Sequence, residues 1–110
     1  MSRKKEDQLR IDKIHDLPCV ACASMKVSQP FNTEAHHIVS HGYRRLSGGD
    51  QSTIPLDAWH HRGICLPGTN ARQMAEKYGP SLALSKREFV KVFGTELELL
   101  DKTNGDLLYT

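Results

Sequence analysis

A chain of 110 residues, 38% apolar and 25% charged, suits one globular domain with a modest core, a size at which bound metal is a useful supplement to stability. No apolar run approaches the roughly 20 residues of a membrane span, and no secretory apolar region is present; a membrane partner is therefore excluded and a cytoplasmic location is expected. The net charge of +2 hides clusters at Arg3-Lys4-Lys5, Arg44-Arg45 and Lys86-Arg87, which suit a polyanion only where they flank a chemical site and otherwise read as solvated surface.

In chain order, "MSRKKEDQ" has no apolar face and reads as a flexible basic arm over about residues 1–6. It runs into a helix over Glu6–Asp16 whose buried side is Leu9, Ile11, Ile14 and Leu17. Pro18 stops that helix and turns the chain into Cys19-Val-Ala-Cys22, a spacing that forms a tight knuckle around a metal. Three cysteines are an odd number, and with no secretory signal they favour metal binding in a reducing compartment over disulfides. Residues 23–33 are polar and read as a loop.

"AHHIV" and "STIPL" read as two short strands with the turn signal "SGGD" between them, a hairpin in which Pro55 makes the second strand brief and places it at an edge. Asp57 is then the N-cap of a helix beginning "AWHHRGI", with Trp59 packed inward and the histidines toward the hairpin. Past Pro67-Gly68 three short helices are expected. Thr69 or Asn70 caps the first and Gly79 ends it; Ser85 and Glu88 form a capping box for the second, ended by Gly94; Thr95 and Glu98 form one for the third. Met74, Tyr78, Phe89, Val92, Phe93, Leu97 and Leu100 are assigned to the core by their helical spacing, and Asn104-Gly105 marks a closing turn. The fold class is thus α+β.

Thiolate and imidazole are ligands that Zn²⁺ prefers in tetrahedral sites, so Cys19 and Cys22 with His60 make a structural zinc site. Its fourth ligand is open between Asp57, three residues before His60, and Cys65. Adjacent helical residues differ in direction by about 100°, so with His60 turned to the zinc, His61 can face the hairpin. There His36 and His37 point to opposite sides of their strand; one can join His61 on a second metal while the other acts as a base.

A strand, turn, strand and helix around one metal resembles the HNH, or ββα-metal, endonuclease finger. The segments "CVAC", "AHHI", "IPLDAWHHR", "KYG", "SKREF" and "ELELL", spanning about Leu17 to Leu100, resemble the phage recombination-enhancement nuclease (Ref) family, whose DNA cutting depends on RecA filaments. The resemblance implies a single HNH-type nuclease domain over residues 1–110, in the bacterial host cytoplasm if phage-encoded. It implies that His36 and His61 hold a catalytic Mg²⁺ or Mn²⁺, with Zn²⁺ able to take the same place in crystals. His37 is then the general base, and Asp50 the polar residue that orients the base or touches the metal. The expected partners are DNA and a RecA filament, with Tyr43, Arg44, Arg45, Lys86 and Arg87 assigned to the DNA backbone. His15 and His41 are left out of the chemistry.

Two positions depart from that pattern. Relatives carry Cys where Asp57 stands, and a further metal-binding His where the alignment places Ala83, a residue that cannot coordinate. Cys65, four residues after His61 and so on the same helical face, or water would then take the third place, or the chain is an impaired form. The alternative function is accordingly a zinc-stabilised DNA- or protein-binding module of the same fold. A site-specific homing or restriction nuclease would need sequence-reading elements for which 110 residues leave little room.

Overall fold

The computed structural model describes residues 4–38 and 49–108. Helix α1 spans Lys5–Asp16 and α2 spans Val20–Met25. Strand β1, Thr33–His37, pairs antiparallel with β2, Thr53–Asp57, placing His36 opposite Ile54 and His37 opposite Thr53. A single 3-10 turn at Gly49–Gln51 leads into β2. Four helices follow: α3 over Ala58–Arg62, α4 over Ala71–Tyr78, α5 over Lys86–Phe93 and α6 over Glu96–Leu107. No helix among the described residues is long and apolar enough to cross a membrane.

The α+β expectation and the hairpin-then-helix order hold. Every residue of β2 is buried, because α1, α2, α3 and α6 all pack against the hairpin's second strand. Pro55 is tolerated there because a two-stranded sheet leaves one side of each strand without ladder bonds. Ile38, Ile54, Leu56, Phe89, Leu99 and Leu100 form the main core together with Cys19 and Cys22; Trp59, Met74 and Tyr78 form a second cluster. Arg10 ties the chain's first helix to the rest. Its guanidinium donates to the Thr53 carbonyl at 2.7 Å, the Thr53 hydroxyl at 3.2 Å and Asn104 Oδ1 at 2.6 Å.

Several local expectations are corrected. Residues 23–25 belong to α2 rather than to a loop, since Cys19 caps that helix and Lys26 ends it in the left-handed region at φ 58°. In α1, Ile11 and Ile14 are buried but Leu9 is exposed. The Ser85 side chain makes no capping bond, whereas Thr95 with Glu98 and Asn70 with Gln73 form full capping boxes. Val92 and Leu97 are exposed, on the solvent side of their helices. Finally α6 runs straight through Asn104-Gly105: burial of Leu99, Leu100 and Thr103 and the Arg10–Asn104 bond outweigh the local turn preference.

Candidate metal centre and nuclease site

Cys19 and Cys22 are presented by the start of α2, and Asp57 and His60 by the start of α3. Cys19 acts as N-cap of α2, its sulfur accepting from the Cys22 amide at 3.5 Å. Gln29 braces this knuckle, accepting from the Cys19 amide at 2.8 Å and donating to Thr33 Oγ1 at 3.0 Å. Across from it Asp57 caps α3, Oδ1 accepting from the His60 amide at 2.9 Å. The same carboxylate therefore begins the helix and completes the cluster.

All four side chains are buried, and their donor atoms lie within 4.8 Å of one another. His60 Nδ1 stands 3.6 Å from Cys19 Sγ, 3.7 Å from Cys22 Sγ and 2.9 Å from Asp57 Oδ1; the sulfurs are 3.9 and 3.8 Å from the two Asp57 oxygens. Tetrahedral bonds of about 2.3 Å to sulfur and about 2.05 Å to nitrogen imply a sulfur-to-nitrogen separation near 3.6 Å, so this donor set can hold a metal ion with little movement. His60 Nε2 donates to the Tyr78 carbonyl at 2.7 Å, the kind of outer bond that aims the opposite nitrogen at an ion.

Without an ion, protons must keep these acceptors apart. The Cys22 partner lowers the Cys19 thiol to about 5 against the opposing effect of burial, while the same pairing and burial push Cys22 up. Burial disfavours charge on His60, but Asp57 and Cys19 raise it to about 9. Ion uptake accordingly releases protons. Cys65 lies outside this group: Gly63, at φ 74°, ends α3 after Arg62, so Cys65 is not one turn along the same helix as His61, and its sulfur faces the Gly63 carbonyl at 3.9 Å.

The other histidines converge differently. His36 on β1 and His61 on α3 meet edge to face, ring centroids 5.0 Å apart. Each carries a carboxylate: His36 Nε2 lies 2.9 Å from Glu96 Oε2, and His61 Nδ1 lies 2.8 Å from Glu34 Oε1. Burial holds His61 below the ordinary imidazole range despite Glu34. Although burial raises the Glu34 carboxyl, its bonds to Arg62 and His61 hold it below the usual range. His37 is bonded to Asp50 instead, Nε2 to Oδ1 at 2.6 Å. Sequence reasoning missed Glu34, Glu96 and Gln29; the one available signal was that Glu34 stands two residues before His36, on the same strand face.

Ala83 lies in the exposed turn before α5. Lys86 sits 3.6 Å from Glu96 Oε1, and Arg87 is exposed in the first turn of α5. Tyr43, Arg44, Arg45 and His41 lie outside the described residues. His15 is exposed at the end of α1 and bonds the Thr33 carbonyl at 3.0 Å.

No curated protein and no solved structure matches the chain. Residues 4–107 match the family model described as "Recombination enhancement, RecA-dependent nuclease", nearly the whole length and both histidine sites included. The chain belongs to that family of RecA-dependent nucleases of recombination enhancement.

Proposed function

We propose that this protein is a metal-dependent DNA endonuclease of the HNH class, phage-associated, hydrolysing phosphodiester bonds in homologous recombination or repair on DNA paired by RecA. The observation that carries the reading is the meeting of His36 and His61, from separate elements, with His37 next to His36 in the chain and bonded to a carboxylate partner of its own. In this reading Cys19, Cys22, Asp57 and His60 hold structural Zn²⁺, and His36 and His61 hold the catalytic cation. Mg²⁺ or Mn²⁺ bound there supplies positive charge for the phosphoryl oxygens and the leaving 3′ oxygen.

An ionised carboxylate only accepts, so the His37 Nε2 proton points to Asp50 and its Nδ1 lone pair is left to take a proton from the attacking water. Asp50 thereby orients the base and stabilises the imidazolium that forms. His36 and His37 close β1 on opposite faces, and a phosphodiester laid across the strand end can meet both. Lys86 and Arg87 on α5, with Tyr43, Arg44 and Arg45, contact the DNA backbone. The products carry 5′-phosphate and 3′-hydroxyl ends.

One observation favours a second reading, a zinc-stabilised binding module with weakened or lost catalysis. Among the described residues, the cysteine-containing cluster alone brings three or more donor atoms within 4.8 Å. Incubating the zinc-loaded protein with RecA-coated and naked duplex DNA and Mg²⁺ or Mn²⁺ separates the two. Metal-dependent cuts on the RecA-coated substrate that vanish in His37→Ala support the nuclease; DNA retention without cuts under every condition supports the module.

A further inference from the structure

Three histidines in the proposed active site each have one nitrogen taken by a carboxylate, but the nitrogens differ. His61 uses Nδ1, toward Glu34, and His36 uses Nε2, toward Glu96. A neutral imidazole has one N–H and one lone pair, and an ionised carboxylate has no proton to give. The carboxylate therefore decides which nitrogen remains for a cation.

Both carboxylates are themselves held. Arg62 donates to Glu34 through two atoms, Nε to Oε1 at 3.0 Å and Nη2 to Oε2 at 2.7 Å, and being next to His61 it sets Glu34 and the ring in one frame. Glu96 is 6% exposed, in the first turn of α6, where the helix N-terminus favours negative charge, with Lys86 at 3.6 Å. Removing a carboxylate from water costs free energy unless its acceptor oxygens are used. One oxygen of Glu96 is used on His36.

We propose that Glu34 and Glu96 are positioning residues that fix opposite tautomers on the paired rings, Nδ1–H on His61 and Nε2–H on His36, so that a cation meets His61 through Nε2 and His36 through Nδ1. This rests on the reading of His36 and His61 as its ligands. An imidazole donating to a carboxylate is a better and more rigid ligand, and losing such a partner weakens metal affinity by roughly 10- to 100-fold.

The test uses the zinc-loaded full chain. Long-range proton–nitrogen NMR of the metal-free histidine site reads each tautomer directly; Nδ1–H on His61 with Nε2–H on His36 is expected, and the same tautomer on both rings overturns the proposal without any variant. Mn²⁺ titration by calorimetry should then give at least tenfold weaker binding for Glu34→Met and Glu96→Met, with zinc content unchanged. Gln at either position keeps an acceptor oxygen and should retain the tautomer and most of the affinity. Unaltered Mn²⁺ affinity in both Met variants overturns the proposal, as does a Glu96→Gln variant that keeps the tautomer yet loses Mn²⁺ altogether, which would make Glu96 a ligand. His61→Ala separates the levels: if it leaves Mn²⁺ binding intact the ligand reading fails and this proposal with it, whereas loss in His61→Ala without loss in Glu34→Met sinks the positioning role alone.

Discussion

His60 and His61 are neighbours on α3, yet their rings live under opposite physical conditions. His60 is fully buried, with two sulfurs and a carboxylate around one nitrogen and a carbonyl on the other. His61 is partly open, with a single carboxylate on one nitrogen and another imidazole at 5.0 Å. Four converging donors saturate a tetrahedral ion and leave no room for substrate, which is how structural sites are built; catalytic sites keep positions open. The backbone of one short helix, turning about 100° per residue, is enough to direct the two rings into these different surroundings.

This contrast predicts that damage on the two sides separates stability from turnover. The largest effect should come from stripping the ion with a chelator, or from Cys22→Ser. Either is expected to cost on the order of 5 kcal/mol, much of a small domain's stability, and should appear as a large fall in melting temperature. Next, His37→Ala should lower the cleavage rate by roughly 10²- to 10⁴-fold while changing stability by less than about 1 kcal/mol, measured by DNA nicking and denaturant unfolding side by side. If His37→Ala unfolds the protein instead, the division between the sites breaks.

Asp57 sharpens the comparison, because it serves both the helix and the cluster. Asparagine is as good an N-cap as aspartate, so Asp57→Asn should leave α3 formed yet weaken metal retention, by about 1–3 kcal/mol for a lost charge-assisted contact. Asp57→Cys should do the reverse, holding the ion while loosening the helix start; metal analysis beside circular dichroism reads both. The smallest pair concerns caps: Thr95→Ala should cost about 1 kcal/mol, and Ser85→Ala less than about 0.5 kcal/mol because no side-chain bond is lost there.

The cluster was legible because its chemistry restricts residue type: Cys-x-x-Cys, Asp57 and His60 stand out from any polar background. Its fourth member was not decided by spacing, since only the left-handed Gly63 shows that α3 stops short of Cys65. Glu34 and Glu96 were obscure for the opposite reason. Acidic residues are common on solvated strand and helix faces; the place of Glu34 two residues before His36 is a weak hint, and nothing local marks Glu96. Caps divided likewise: Thr95-Glu98 forms its box, but the same pattern at Ser85-Glu88 does not, because Ser85 adopts φ −147° and ψ 62° and its side chain makes no capping bond. Val92 and Leu97 stand exposed despite their helical spacing, because periodicity locates a face without saying how wide the covered stripe is.

The cluster draws donors from two stations, Cys19 and Cys22 on one side and Asp57 and His60 on the other, separated by 35 to 41 positions along the polypeptide. An ion there behaves as a reversible crosslink closing a long ring, and the chain entropy it removes from the unfolded ensemble grows only slowly with ring size. Lengthening the hairpin connection inside that ring by several residues should therefore hardly alter how firmly the loaded protein resists denaturant. Folding speed, by contrast, should depend on free ion concentration, since the two stations must find each other across the ring before the tie can close.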